Sequence, residues 1–198
     1  MPQELYVISL VFSCLALFVS AITAWLTFFR NGELKATQPT TVFFGPDGLK
    51  DPLINVAVNK VYLRTLLYST SKKGQVIESM HVSLRRNESN QNFSIWVYGT
   101  EGGLQRGSGL FVPQEGVTFD HHFLLPTDGA SFNFLPGQYS LTMYAKQVDS
   151  KTTINLTELT LTVSEAHALQ LSEAKTGIFF DWGPDQKQYH AHTKKYTN

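Results

Sequence analysis

The chain has 198 residues, 42% of them hydrophobic, and its 16 basic residues balance 16 acidic ones. That size suits one domain with an appendage, and neutrality without any block of like charge argues against a protein that grips nucleic acid backbones. The single cysteine, Cys14, excludes a disulfide framework and a cysteine-based zinc site.

The average composition hides an uneven chain. A charge-free run begins at Leu5 and ends at Phe29. As a helix its roughly 25 residues would extend ~37 Å, enough to cross a ~30 Å hydrocarbon layer. Its polar members, Ser9, Ser13, Ser20, Thr23 and Thr27, are small hydroxyls able to return a hydrogen bond to their own helix, and Tyr6 and Trp25 suit the two interfaces. A cleaved signal peptide competes, because Val19, Ser20 and Ala21 suit a peptidase. The first five residues hold no Lys or Arg, however, and the run is longer than a signal core. An uncleaved signal-anchor over residues 1–30 is therefore expected, with the lipid bilayer as its partner. Arg30, Lys35 and Lys50 follow the span and only Glu4 precedes it, which favours a cytoplasmic domain on a bacterial inner membrane, an extracytoplasmic domain being the alternative. Glycosylation sites at Asn87, Asn92 and Asn155 would matter only in a eukaryotic lumen.

Residues 31–52 place Gly32, Pro39, Gly45, Pro46 and Gly48 around Thr41, Val42, Phe43 and Phe44, which reads as a linker leading into a first edge strand. Residues 53–69 are apolar in both phases, as in a strand buried on two sides or a pair broken near Asn59 and Lys60. From Gln75 the period is two: Val76, Met80, Val82 and Leu84 face in, and Ser79, His81, Ser83 and Arg85 face out. A turn at 87–90 reverses the chain. Phe93, Ile95 and Val97 form the next inward set, before a Gly-rich turn at 99–103. Strands over 104–112 and 117–125 flank a turn at 113–116, the second with Val117, Phe119, Phe123 and Leu125 in phase. Tyr139, Leu141, Met143 and Ala145 alternate, as do Leu159, Leu161 and Val163 after a turn at 149–151. Ile154 and Leu156 fall in the opposite phase, which predicts a bulge near Thr157 and Glu158. One short helix is expected within 165–176, opened by Ser164 as N-cap and followed by Gly177. Roughly eight to ten strands with hairpin-length connections make the chain mainly β, an antiparallel sandwich over 53–164.

The segment Leu135-Pro136-Gly137-Gln138-Tyr139-Ser140-Leu141-Thr142-Met143 resembles the entry to a late strand of immunoglobulin-like sandwiches. The resemblance implies that the Tyr139 hydroxyl caps the backbone of the corner. A cysteine often stands two positions after that tyrosine. Leu141 stands there in this chain, so no inter-sheet disulfide is implied. The layout of anchor plus sandwich is similar to that of uncharacterised bacterial single-pass proteins, which implies no activity.

The residues that could carry chemistry do not converge in sequence. Within the predicted strand His121 shares the apolar phase and His122 the polar phase with Asp120, and adjacent strand residues point to opposite sides, so the two histidines are not read as ligands of one metal. Asp120 and His122 share a face and could orient one another, an arrangement read as a solvated surface pair. His190 and His192 could chelate from an extended tail but lack a partner at recognisable spacing. Ser108, between Gly107 and Gly109, lacks the elbow of a nucleophilic serine, and no phosphate-binding loop is present. No cofactor, metal or catalytic residue is assigned, and no enzyme activity is expected.

What remains are surfaces. Trp96 and Tyr98 oppose the Phe93 phase and Tyr144 opposes Leu141, so they are either core or an aromatic platform for a ligand. Residues 177–198 open with Ile178, Phe179, Phe180 and Trp182 and then turn polar. This tail is expected to pack on the sandwich, dock a protein partner or meet the membrane, and its removal is expected to leave the domain folded. The preferred function is a membrane-anchored, non-enzymatic interaction or scaffold module, and the alternative is a ligand-binding or sensory domain with an exposed aromatic face.

Overall fold

The structure is a computed structural model that describes residues 3–29, 32–50, 57–100, 103–126, 132–148, 150–173 and 175–196. The chain opens with helix α1 (Gln3–Ala24), which widens into a π-helical turn at Trp25–Phe29. Ser13 donates to the Ser9 carbonyl at 2.9 Å and Thr23 to the Val19 carbonyl at 2.8 Å, so these hydroxyls meet no unmatched polar demand in an apolar surround. Mean hydropathy across the 27-residue segment reaches 2.5, and none of it is buried against the domain.

Strands follow in the order β1 (Leu34–Ala36), β2 (Thr41–Lys50), β3 (Ala57–Ser69), β4 (Gln75–Arg86), β5 (Ser89–Phe93), β6 (Ile95–Thr100), β7 (Gly103–Arg106), β8 (Leu110–Val112), β9 (Val117–Leu124), β10 (Gly137–Gln147) and β11 (Thr153–Val163). Helix α2 (Glu165–Leu171) and strands β12 (Thr176–Gly183) and β13 (Gln188–Lys195) complete the chain. Among the described residues they build two antiparallel sheets. The larger, eight-stranded sheet runs β13-β12-β2-β3-β9-β6-β7 with β1 on β3, and the five-stranded sheet runs β11-β10-β4-β5 with β8 on β4. The inner faces interdigitate in one core that includes Phe44, Leu63, Phe93, Phe123, Tyr139 and Phe180.

β2 lies inside the larger sheet, between β12 and β3, and is not an edge strand. Residues 57–69 form one continuous strand with Val61, Leu63, Thr65 and Leu67 buried and Tyr62, Arg64 and Leu66 on the other face. Residues 53–56 of that expected strand, residues 101 and 102 of the Gly-rich turn and Asp149 lie outside the described residues. Two irregularities move side chains between faces. In β4 the register skips Glu78, because Lys146 pairs with Ser79 and Gln147 with Ile77, so Ile77 is buried and Val76 exposed, the reverse of the expected phase. In β11 Met143 pairs with Thr157 and Tyr144 with Asn155, which puts the predicted bulge at Leu156.

The larger correction is at Ser94. β5 belongs to the smaller sheet and β6 to the larger one, so the chain crosses the sandwich there and inward means the opposite phase on each side. Phe93 and Trp96 are consequently both buried, and Ile95 and Val97 take the outer face. Helix α2 begins as expected, with the Ser164 side chain accepting from the His167 amide at 3.1 Å. Residues 177–195 are not an appended tail. β12 pairs with β2, β13 pairs with β12, and Ile178 and Phe180 are fully buried in the core.

Candidate functional site

The outer face of the larger sheet gathers side chains from five strands. Period-two geometry and the observed register put His192, Phe179, Phe43, Tyr62 and His122 in one row across β13, β12, β2, β3 and β9. Ring centroids lie 5.4 Å apart for Phe179 and His192, 4.8 Å for Phe43 and Phe179, and 4.9 Å for Tyr62 and His122. Phe43 can lie flat because Gly45 and Gly177 flank it. A Cβ on either would sit 2.6 Å or 2.1 Å from its ring. Tyr196 closes over the same ring edge-on at 6.1 Å.

A second, polar row runs beside the first: His190, Asp181, Thr41, Arg64 and Asp120 pair in turn across the same strands. The rows are stitched together. Tyr62 donates to Asp120 Oδ1 at 2.9 Å, Arg64 Nε lies 3.8 Å from the same oxygen, Thr41 donates to Asp181 Oδ1 at 2.9 Å, and His192 Nδ1 lies 3.5 Å from Asp181 Oδ2. At one end Lys60 and Asp47 form a 2.6 Å ion pair with only 14% and 12% of their side chains exposed. Arg64, Asp181 and His192 by contrast remain about half open to solvent, at 56%, 51% and 55%.

The electrostatics fix the protonation of the half-buried members. Burial, the hydrogen bond to Asp120 and the charge of Asp120 all raise the Tyr62 pKa, so the phenol keeps its proton. Burial first and the Lys60 charge second lower that of His122 to about 4, which leaves it neutral at physiological pH. Asp120 is engaged by Tyr62 and Arg64, and His122 Nδ1 is buried without a hydrogen-bond partner among the described residues. The two therefore form no acid–base dyad. Sequence reasoning missed Phe43 and Tyr62 because both lie in runs that are apolar in either phase. The signal available was the polar alternation of Lys60 and Arg64 around Tyr62.

The singled-out aromatic residues separate. Trp96 is buried, donates Nε1–H to His121 Nδ1 at 3.2 Å and stacks on Tyr98 at 4.9 Å, so these two form no exposed platform. Tyr144 stacks on His81 at 4.9 Å on the outer face of the smaller sheet. Phe180 is core and Phe179 belongs to the ring row. Trp182 packs on Tyr189 at 5.1 Å beside an open cleft of about 420 Å³ between the β12–β13 hairpin and β11. The Tyr189 hydroxyl donates to the Pro39 carbonyl at 2.8 Å and accepts from Gln38 at 3.0 Å, pinning the linker to the hairpin. His121 is buried and His122 half-buried on opposite sides of β9. Ser108 lies between β7 and β8, outside any strand. Among the described residues no three His, Cys, Asp or Glu side chains are placed to hold a metal ion.

No family model and no curated protein matches the chain. One solved structure, the CooA pilin subunit from enterotoxigenic Escherichia coli, aligns over 64% of this chain and 99% of its own with 13% identity and a TM-score of 0.28. At that score the likeness carries neither fold nor function across.

Proposed function

We propose that the protein is a membrane-anchored, non-enzymatic interaction module of a bacterial inner membrane, presenting the outer face of its larger sheet to a protein partner. The observation that carries this reading is the paired rows on that face. Arg64, Asp181 and His192 stand about half open beside the partly exposed Tyr62, His122 and Phe179, over a buried Phe43. Side chains held by one another and by strand pairing lose little freedom on binding while offering both stacking and hydrogen bonds. The Tyr62–Asp120, Arg64–Asp120 and Thr41–Asp181 contacts hold these side chains to one another, which suits recognition. The apolar segment supports the tether, because an unburied helix of this length needs a lipid surround. The charges after the span, Arg30, Lys35 and Lys50, support the cytoplasmic side for the domain. A ligand-binding reading through Trp96 and Tyr98 lacks its surface, since Trp96 is core and Tyr98 stacks against it.

Photo-crosslinking in cells tests the proposal. A photoreactive residue at Arg64 or His192 is expected to give one discrete protein adduct that is lost on Tyr62→Ala or Asp181→Lys, and the same probe at Glu78 on the smaller sheet to give none. Equal adducts from both sheets, or adducts indifferent to those substitutions, would contradict it.

A further inference from the structure

The domain is tied closely to the end of the apolar helix. Only Arg30 and Asn31 separate Phe29 from Gly32, so the Cα atoms of Phe29 and Gly32 lie within about 11 Å of one another. Gly32 is held by the body of the sandwich. Its carbonyl accepts from Gln75 Nε2 at 3.0 Å, and Gln147 Nε2 donates to Gln75 Oε1 at 2.8 Å. The Glu33 amide donates to Thr70 Oγ1 at 2.8 Å, and the Thr70 amide donates to the Glu33 carbonyl at 2.9 Å. The β3–β4 turn and the end of β10 are thus the part of the domain fixed to the helix exit.

An exposed apolar patch is continuous with this tether. Val76 and Val148 directly follow Gln75 and Gln147, the Val148 amide donates to the Val76 carbonyl at 3.0 Å, and Phe111 pairs with Val76 across β8 and β4. Phe111, Val148 and Val76 are 54%, 46% and 38% exposed. Phe111 is held outward over Gly74, whose φ of +69° and 2.5 Å approach to the ring leave no room for a Cβ. Lys72 and Lys73 in the same turn and Lys151 in the β10–β11 turn are exposed. Of the acidic groups described at this end, Glu33 is paired with Lys35 at 3.1 Å and Glu78 with Lys146 at 2.9 Å, and Glu115, in the turn between β8 and β9, is exposed.

From the short tether, the apolar patch and the lysines beside it, we infer that this end of the sandwich rests on the bilayer surface, with Phe111, Val76 and Val148 at the headgroup boundary and Lys72 and Lys73 on anionic headgroups. Aromatic and aliphatic side chains with adjacent lysines match an anionic lipid interface. The inference rests on the reading of residues 5–29 as a membrane span.

The test uses the full chain with Cys14→Ser, reconstituted in vesicles of phosphatidylcholine and phosphatidylglycerol and labelled with an environment-sensitive fluorophore at Val148→Cys or, at the opposite end of β4, at Glu88→Cys. Lipids spin-labelled near the headgroup are expected to quench the Val148 label several-fold more than the Glu88 label. The triple change Phe111→Ser, Lys72→Glu, Lys73→Glu is expected to reduce quenching to the Glu88 level with circular dichroism unchanged. A chain that resists carbonate extraction while its two labels quench equally would overturn the surface contact and leave the span standing. A chain released by carbonate would overturn the span and this inference with it.

Discussion

His121 is the titratable side chain most deeply enclosed in the sandwich. Because Nδ1 accepts from Trp96, the ring proton sits on Nε2, which meets no acceptor among the described residues. Burial lowers its pKa to about 4, with the Asp120 charge acting in the opposite sense. In the unfolded chain the imidazole takes its proton near pH 6.5, whereas the folded chain resists protonation until about pH 4. Stability is therefore complete above pH 6.5 and declines as pH falls through that window, by about 3 kcal/mol for this group alone. Urea unfolding is expected to show a lower midpoint at pH 5 than at pH 7.5, with a smaller difference in His121→Gln. A midpoint independent of pH between 5 and 7.5 would contradict the burial assigned to this side chain. Tyr139 shows a polar group handled the other way. Its hydroxyl donates to the Leu135 carbonyl at 2.7 Å, the corner bond that the motif around it implied.

At the scale of elements, the β12–β13 hairpin is decisive. It covers the edge of β2 and delivers Ile178 and Phe180 to the core. Removing residues 177–198 is expected to abolish the cooperative thermal transition seen by circular dichroism, and Phe180→Ala to lower stability by ~3–5 kcal/mol. A truncated chain that still melts cooperatively would show the hairpin to be dispensable. Strand alternation, the N-cap at Ser164, the bulge beside Thr157 and the opposite facing of His121 and His122 were legible because each depends on local geometry. The facing of Trp96 was not. A period of two says which residues share a side but not which sheet the strand joins, and the crossing at Ser94 inverts inside and outside. The ring row was hidden for a related reason: it joins residues up to 149 positions apart, Phe43 with His192, and no local pattern brings them together.

At the scale of the whole molecule, the core and the apolar helix are independent. No residue of α1 or of the π-helical turn is buried, and the sandwich closes its own core from residues 34–180. Folding of the domain is therefore expected not to require the helix, and the proposed membrane anchoring is expected to depend on it. The most direct measurement compares the full chain with a chain beginning at Gly32, each expressed in bacteria, fractionated and washed with alkaline carbonate. The full chain is expected to stay in the membrane pellet, and the shortened chain to be soluble with a β-type circular dichroism spectrum and a cooperative melt. Release of the full chain by carbonate, or a shortened chain that fails to fold, would contradict the account.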